Sequence, residues 1–124
     1  MKQFLIMFFI MLLVSCGSSN MKNNFHVTDV QGKNYPAQSD DGVTFRLYAP
    51  DAVLVTIAGT FNGWNSDSTE LKKSDDGIWS VTLKVKKGKQ YYKYLLDGYW
   101  IADPDNPDTT DDGFGGLNSV IQVK

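Results

Sequence analysis

The chain of 124 residues has one cysteine and one histidine. Cys16 by itself cannot close an intramolecular disulfide, and it excludes a reactive or metal-holding cysteine cluster. His26 has no neighbouring ligand-type residues, so a metal centre built on it lacks partners. The sequence contains no Gly-x-Ser-x-Gly elbow, and its sole histidine precedes the predicted core. Catalysis by a nucleophile and base therefore has nothing to stand on, and neither a catalytic metal nor a cofactor is expected. No basic stripe is present either. Lys84, Lys86, Lys87 and Lys89 bracket Gly88 and read as the solvated tip of a hairpin. That makes nucleic acid and anionic membrane surfaces poor partners.

The longest apolar run is Phe4 to Val14, preceded by the positive charge of Lys2. Eleven residues are too few to span a bilayer, which needs roughly 20, but they suit the hydrophobic segment of a secretory signal. The run ends in Leu13-Val14-Ser15-Cys16-Gly17, which resembles the bacterial lipobox. Residues 1–15 are accordingly expected to be a lipoprotein signal peptide, with Cys16 carrying the lipid. Gly17 supplies no aspartate-type retention signal, so the expected location is the bacterial cell envelope, at the outer membrane. Residues 16–41 read as lipidated cysteine and flexible tether, rich in small and polar groups. Val27 and Val30 leave open an edge strand within that stretch. Losing Lys2 with the signal leaves 11 basic residues against 14 acidic ones, a formal charge of −3.

From Val43 onward the apolar pattern has period two, broken by turn residues, and nowhere has the period of a helix. Val43, Phe45 and Leu47 share one face, and Val53, Val55 and Ile57 another. A short strand is expected near residues 70–73. Trp79, Val81, Leu83 and Val85 then share an inward face, which makes Trp79 a core residue. In the strand 90–96, Tyr92, Tyr94 and Leu96 point one way, with Tyr91, Lys93 and Leu95 opposite. Asp97-Gly98 fits a two-residue hairpin turn, and Ile121 and Val123 point inward from a last strand. Strands spaced this closely predict an antiparallel β-sandwich over residues 42–124. About eighty residues leave no room for a catalytic barrel, which needs ~250.

Two tryptophans fall outside this core pattern. Trp64 lies in the loop Gly59-Thr60-Phe61-Asn62-Gly63-Trp64-Asn65, and Trp100 follows the Asp97-Gly98 turn. Large aromatics on separate polar loops point to a stacking platform for a flat-faced ligand such as a sugar. The alternative is that both rings plug the ends of the sandwich. The aspartates Asp103, Asp105, Asp108, Asp111 and Asp112 lie on a loop broken by Pro104 and Pro107. A glycosidase pair or a calcium loop is conceivable there, but such residues more often form turns by accepting backbone hydrogen bonds.

The order Gly59-Thr60-Phe61-Asn62-Gly63-Trp64, Tyr92-Lys93-Tyr94, Asp97-Gly98-Tyr99-Trp100, Asp103-Pro104 and Asn118-Ser119-Val120-Ile121-Gln122-Val123 resembles the glycogen-binding domain of the AMP-activated protein kinase beta subunit. That domain belongs to carbohydrate-binding module family 48. The resemblance covers Val43 to Val123. It implies an all-β, immunoglobulin-like (early-set) sandwich and a non-catalytic module for an α-glucan such as glycogen, starch or maltooligosaccharide. It also implies that Trp64, Lys93, Trp100 and Asn118 hold the sugar. Indole faces would pack on C–H faces, and the polar groups would bond hydroxyls. Such shallow sites bind at about −4 to −7 kcal/mol. Where the family's best-known members carry a leucine and a threonine, Phe114-Gly115-Gly116-Leu117 precedes Asn118 here. Phe114 would take the leucine's place as an apolar wedge, and Gly116 supplies no hydroxyl. The competing reading is a structural or docking early-set domain that partners an envelope glycoside hydrolase or other enzyme without binding sugar itself.

Overall fold

Alternating burial along the chain shows how the sequence builds two facing sheets. In β2 (Gly42–Tyr48), Val43, Phe45 and Leu47 are buried while the residues between them are not. β5 (Ile78–Leu83) pairs antiparallel with β2, Phe45 opposite Val81 and Leu47 opposite Trp79. β1 (Ala37–Ser39) and β4 (Lys72–Lys73) flank them, giving the order β1-β2-β5-β4. The second sheet is centred on β6 (Gly88–Leu96), with β3 (Val55–Gly59) on one side. On its other side β6 pairs first with β9 (Leu117–Val123) and then with β7 (Tyr99–Ile101). β8 (Thr109–Asp111) closes the far edge of β9. All pairings are antiparallel, and the fold is the expected immunoglobulin-like β-sandwich. The computed structural model describes residues 36–124. Cys16, the leader, His26 and the tether up to residue 35 lie outside the described residues.

The core draws on both sheets. Phe45 of one packs edge-on against Tyr92 of the other, ring centroids 4.8 Å apart, and Phe61 joins at 5.4 Å. Contacts of this kind add about 0.5–1.5 kcal/mol each beyond area burial. Trp79 is 6% exposed, and its indole N–H donates to the Ala49 carbonyl at 2.8 Å, which removes the cost of burying that donor. The two buried phenols of β6 converge on one buried carboxylate. Tyr92 donates to Asp103 Oδ2 at 2.6 Å, and Tyr94 donates to the Arg46 carbonyl at 3.1 Å with Asp103 Oδ2 3.4 Å away. Burial raises the pKa of Asp103 above the ordinary carboxylate value, against the hydrogen bond from Tyr92, which lowers it.

Three features depart from the sequence pattern. Ala37–Ser39 forms an edge strand five residues ahead of the expected domain start at 42. It is short and polar, so period two cannot reveal it. Gln38 secures it instead, donating from Nε2 to the Gln122 carbonyl and accepting from the Lys124 N–H. Val53 does not share a face with Val55 and Ile57: it is 86% exposed and precedes β3. The Asp97 carboxylate accepts both the Val53 and Leu54 N–H groups, which takes those donors away from any ladder. Thr109–Asp111, read as loop, pairs with β9 although all three residues are exposed. The hairpin turn stands as read, with Asp97 and Gly98 both at positive φ (49° and 84°) and Leu96 facing Tyr99.

Candidate functional site

Three strands and two loops converge beside the centre of the second sheet. Lys93 points outward from β6, since Tyr92 and Tyr94 on either side of it point into the core. Trp100 stands on β7, directly opposite Leu95 of β6. Asn118 is near the start of β9, opposite Thr110 of β8. Trp64, Lys93, Trp100, Asp112, Phe114 and Asn118 line a single open depression of ≈ 410 Å³. All five residues singled out in the sequence are thus brought to one place. Trp64 is 37% exposed, Trp100 48% and Phe114 95%.

The Trp64 loop is held from below. A short 3₁₀ turn, Thr60–Asn62, follows β3, and Gly63 and then Trp64 both take positive φ (63° and 60°). That conformation is costly for a bulky residue, of order 1–3 kcal/mol, and persists only where the surroundings over-determine it. Here the Trp64 N–H donates to the Gly59 carbonyl at 2.9 Å. The Asn62 side chain accepts from the Gly59 N–H and donates to the Ile57 carbonyl and Thr69 Oγ1. Phe61 turns inward onto Phe45, so the neighbouring aromatics of the motif divide between core and surface.

Gly59 matters for space, since its φ of −172° is ordinary extended backbone. A Cβ there would lie 2.4 Å from the Tyr91 carbonyl oxygen and 2.8 Å from Phe61 Cε1. Gly59→Ala is therefore expected to force the loop off the central strand and lower stability by about 1–3 kcal/mol. A thermal melt checks this, and an unchanged midpoint would show that the loop is not braced in this way.

Asp112 is the site residue that sequence reasoning placed only among turn-forming aspartates. Its Oδ2 makes an ion pair with Lys93 Nζ. Its Oδ1 accepts the N–H groups of Phe114 (2.7 Å) and Gly116 (3.0 Å). The hydrogen bond from Lys93, helped by those two backbone donors, holds its pKa down at about 2. The pair is thus fully formed above the ordinary carboxylate range and is lost only as pH falls through about 2. A Cβ on Gly116 would lie 2.7 Å from Asp112 Oδ2 and 3.4 Å from Lys93 Nζ. The missing side chain at Gly116 is what lets the carboxylate reach the lysine. The one available signal was the Asp-x-x-x-Gly spacing between glycines.

Asp103, Asn106 and Asp111 behave as turn-formers. Asp103 accepts the Asp105 N–H, Asn106 the Asp108 N–H and Asp111 the Gly113 N–H. Among the described residues no group of histidine, cysteine, aspartate or glutamate could hold a metal ion.

The sandwich gathers two half-exposed indoles, the exposed Phe114, the Lys93–Asp112 pair and Asn118 around one open depression, a surface fitted to binding. The chain belongs to the family Carbohydrate-binding module 48 (Isoamylase N-terminal domain), whose model matches residues 31–112. It is similar to the Arabidopsis thaliana chloroplastic Protein PTST homolog 2, with 38% identity over 68 residues, 55% of this chain and 13% of that protein. It is also similar to the 5'-AMP-activated protein kinase subunit beta-2 of Mus musculus, 34% identical over 77% of this chain and 34% of the subunit. The 1,4-alpha-glucan branching enzyme GlgB of Lactobacillus acidophilus is 35% identical over 60% of this chain and 11% of the enzyme. The chain therefore spans from about a tenth to a third of the length of these relatives. The family match covers Trp64, Lys93, Trp100 and Asp112, and stops short of Phe114 and Asn118.

Proposed function

We propose that this protein is a non-catalytic α-glucan-binding module, taking glycogen, starch or maltooligosaccharide on the Trp64–Trp100 face. The observation that carries the reading is the convergence of Trp64, Trp100, Lys93, Asn118 and Phe114 on one depression. Two indoles on one face beside a fixed cation suit successive glucose rings, whose C–H faces stack while their hydroxyls take hydrogen bonds. Lys93 is fixed by Asp112 before ligand arrives, which lowers the ordering cost of binding. Phe114, 95% exposed at the rim, is assigned the part of an apolar wedge in this reading. The likeness to a 1,4-alpha-glucan branching enzyme also supports an α-glucan as the ligand. The test is retention on insoluble polysaccharides: the protein is expected to be held by starch or glycogen and not by cellulose. Equal retention on both types, or on neither, would overturn the reading.

The docking alternative has one observation in its favour. Val53, Leu54 and Tyr99 are exposed large apolar groups close to the Asp97 turn. Retention on no polysaccharide, with capture of an envelope glycoside hydrolase, would favour it.

The module is further proposed to be anchored to the cell envelope through lipid on Cys16, on the outer membrane. The support is the apolar run 4–14 ending at Val14-Ser15-Cys16-Gly17. An acylated cysteine bearing more than one chain meets the requirement for stable attachment. Cys16→Ser is expected to move the protein out of the membrane fraction and abolish labelling with a palmitate analogue. An unlabelled wild-type protein free in the medium would sink this anchor.

A further inference from the structure

A second depression, of ≈ 390 Å³, lies on the same outer face, lined by Lys89, Tyr91, Pro107, Asp108, Thr110 and Val120. Its strand residues extend the rows that carry Lys93 and Asn118. Alternation along β6 puts Lys89 and Tyr91 in the same outward row as Lys93. Along β9 the same alternation puts Val120 in the row of Asn118. Tyr91 faces Val120 across the ladder, and Thr110 faces Asn118. Along β6 and β9 the two sets of lining residues are separated by the inward-pointing pair Tyr92–Ser119. At a rise of about 3.4 Å per residue, Tyr91 is ~7 Å and Lys89 ~14 Å along the strand from Lys93. A few linked sugar rings span that distance.

We propose that this depression is a second subsite, which takes further glucosyl residues of the same chain that Trp64 and Trp100 hold. The proposal rests on the glucan reading above. Tyr91 supplies an aromatic face, and its hydroxyl has no hydrogen-bond partner among the described residues. Thr110 and Asp108 add a hydroxyl and a carboxylate for sugar hydroxyls. Lys89 and Asp108 carry opposite charges, which favours a neutral polyhydroxylated chain over an anionic one. Tyr91 is itself tied down by its backbone, whose N–H donates to Thr60 Oγ1 at 3.1 Å, so the ring can be removed without releasing the strand.

The experiment is calorimetric titration of the full chain, in detergent, with maltotriose and with maltoheptaose. Wild type is expected to bind maltoheptaose at least about tenfold more tightly than maltotriose, a difference of ~1.4 kcal/mol. Tyr91→Ala should leave maltotriose affinity unchanged and bring maltoheptaose to within about two- to threefold of it. Thr110→Val, which keeps the side-chain shape on an exposed edge, should remove part of the same gain. A length preference untouched by both variants overturns the second subsite while leaving the first intact. Equal weakening of both sugars by Tyr91→Ala also overturns it. If wild type binds neither sugar, the glucan reading itself fails and the subsite with it.

Discussion

Trp64→Ala and Trp100→Ala are each expected to abolish measurable retention on starch or glycogen while leaving the sandwich folded. Both rings are partly in solvent, and both line the depression that holds Lys93, Asp112, Phe114 and Asn118. Removing either indole deletes one of two stacking faces from a site whose whole affinity is only about −4 to −7 kcal/mol. Losing one aromatic contact, worth about 3 kcal/mol with its buried area, leaves even the tighter end near about −4 kcal/mol, the millimolar range. The backbone of the Trp64 loop should survive, because its bracing comes from Asn62, Gly59 and the inward Phe61. Polysaccharide pull-down with thermal melts of each variant checks both halves. Full retention by either variant would remove that indole from the platform.

The opposite outcome is expected for the third tryptophan. Trp79→Ala should unfold the domain, or lower its stability by about 3–5 kcal/mol, a large share of the 5–15 kcal/mol typical of a whole domain. Trp79 is almost fully buried between the sheets, and its indole N–H is matched to the Ala49 carbonyl. Alanine leaves a cavity and deletes the indole's bond to the Ala49 carbonyl, which keeps only its 3.2 Å bond from the Ala52 N–H. Chemical denaturation of the three tryptophan variants under one set of conditions separates them. If Trp100→Ala proves as damaging as Trp79→Ala, the division between platform and core is wrong.

The burial of Trp79 and the exposure of Trp64 and Trp100 are legible in the sequence. Trp79 falls in phase with Val81 and Leu83 on a period-two strand, whereas Trp64 and Trp100 fall beside Gly63 and Gly98. Period two also placed Tyr92 and Tyr94 inward and Lys93 outward. Where the pattern failed, it failed for identifiable reasons. β1 and β8 are three-residue edge strands with polar or exposed side chains, so hydrophobic alternation carries no information about them. Val53 is apolar and in phase, yet the Asp97 carboxylate 44 residues away claims its N–H.

By itself, the sequence determined the class of fold, the inward and outward faces of the long strands, and the identity of five residues around the depression. The fold class and the strand faces follow from side-chain alternation, and the loop positions of Trp64 and Trp100 from the turn chemistry of Gly, Asn and Asp, whereas Lys93, Phe114 and Asn118 were singled out by the resemblance to the glycogen-binding domain. Only the tertiary structure decided that Asp112 leaves the turn-forming class to pair with Lys93, and that Gly116 makes the room for it. It alone decided that Tyr91, Thr110 and Val120 continue the same face. These are contacts between side chains on different strands and loops, fixed by sheet register and by the closure of the 112–116 loop. No local periodicity records where such chain segments meet.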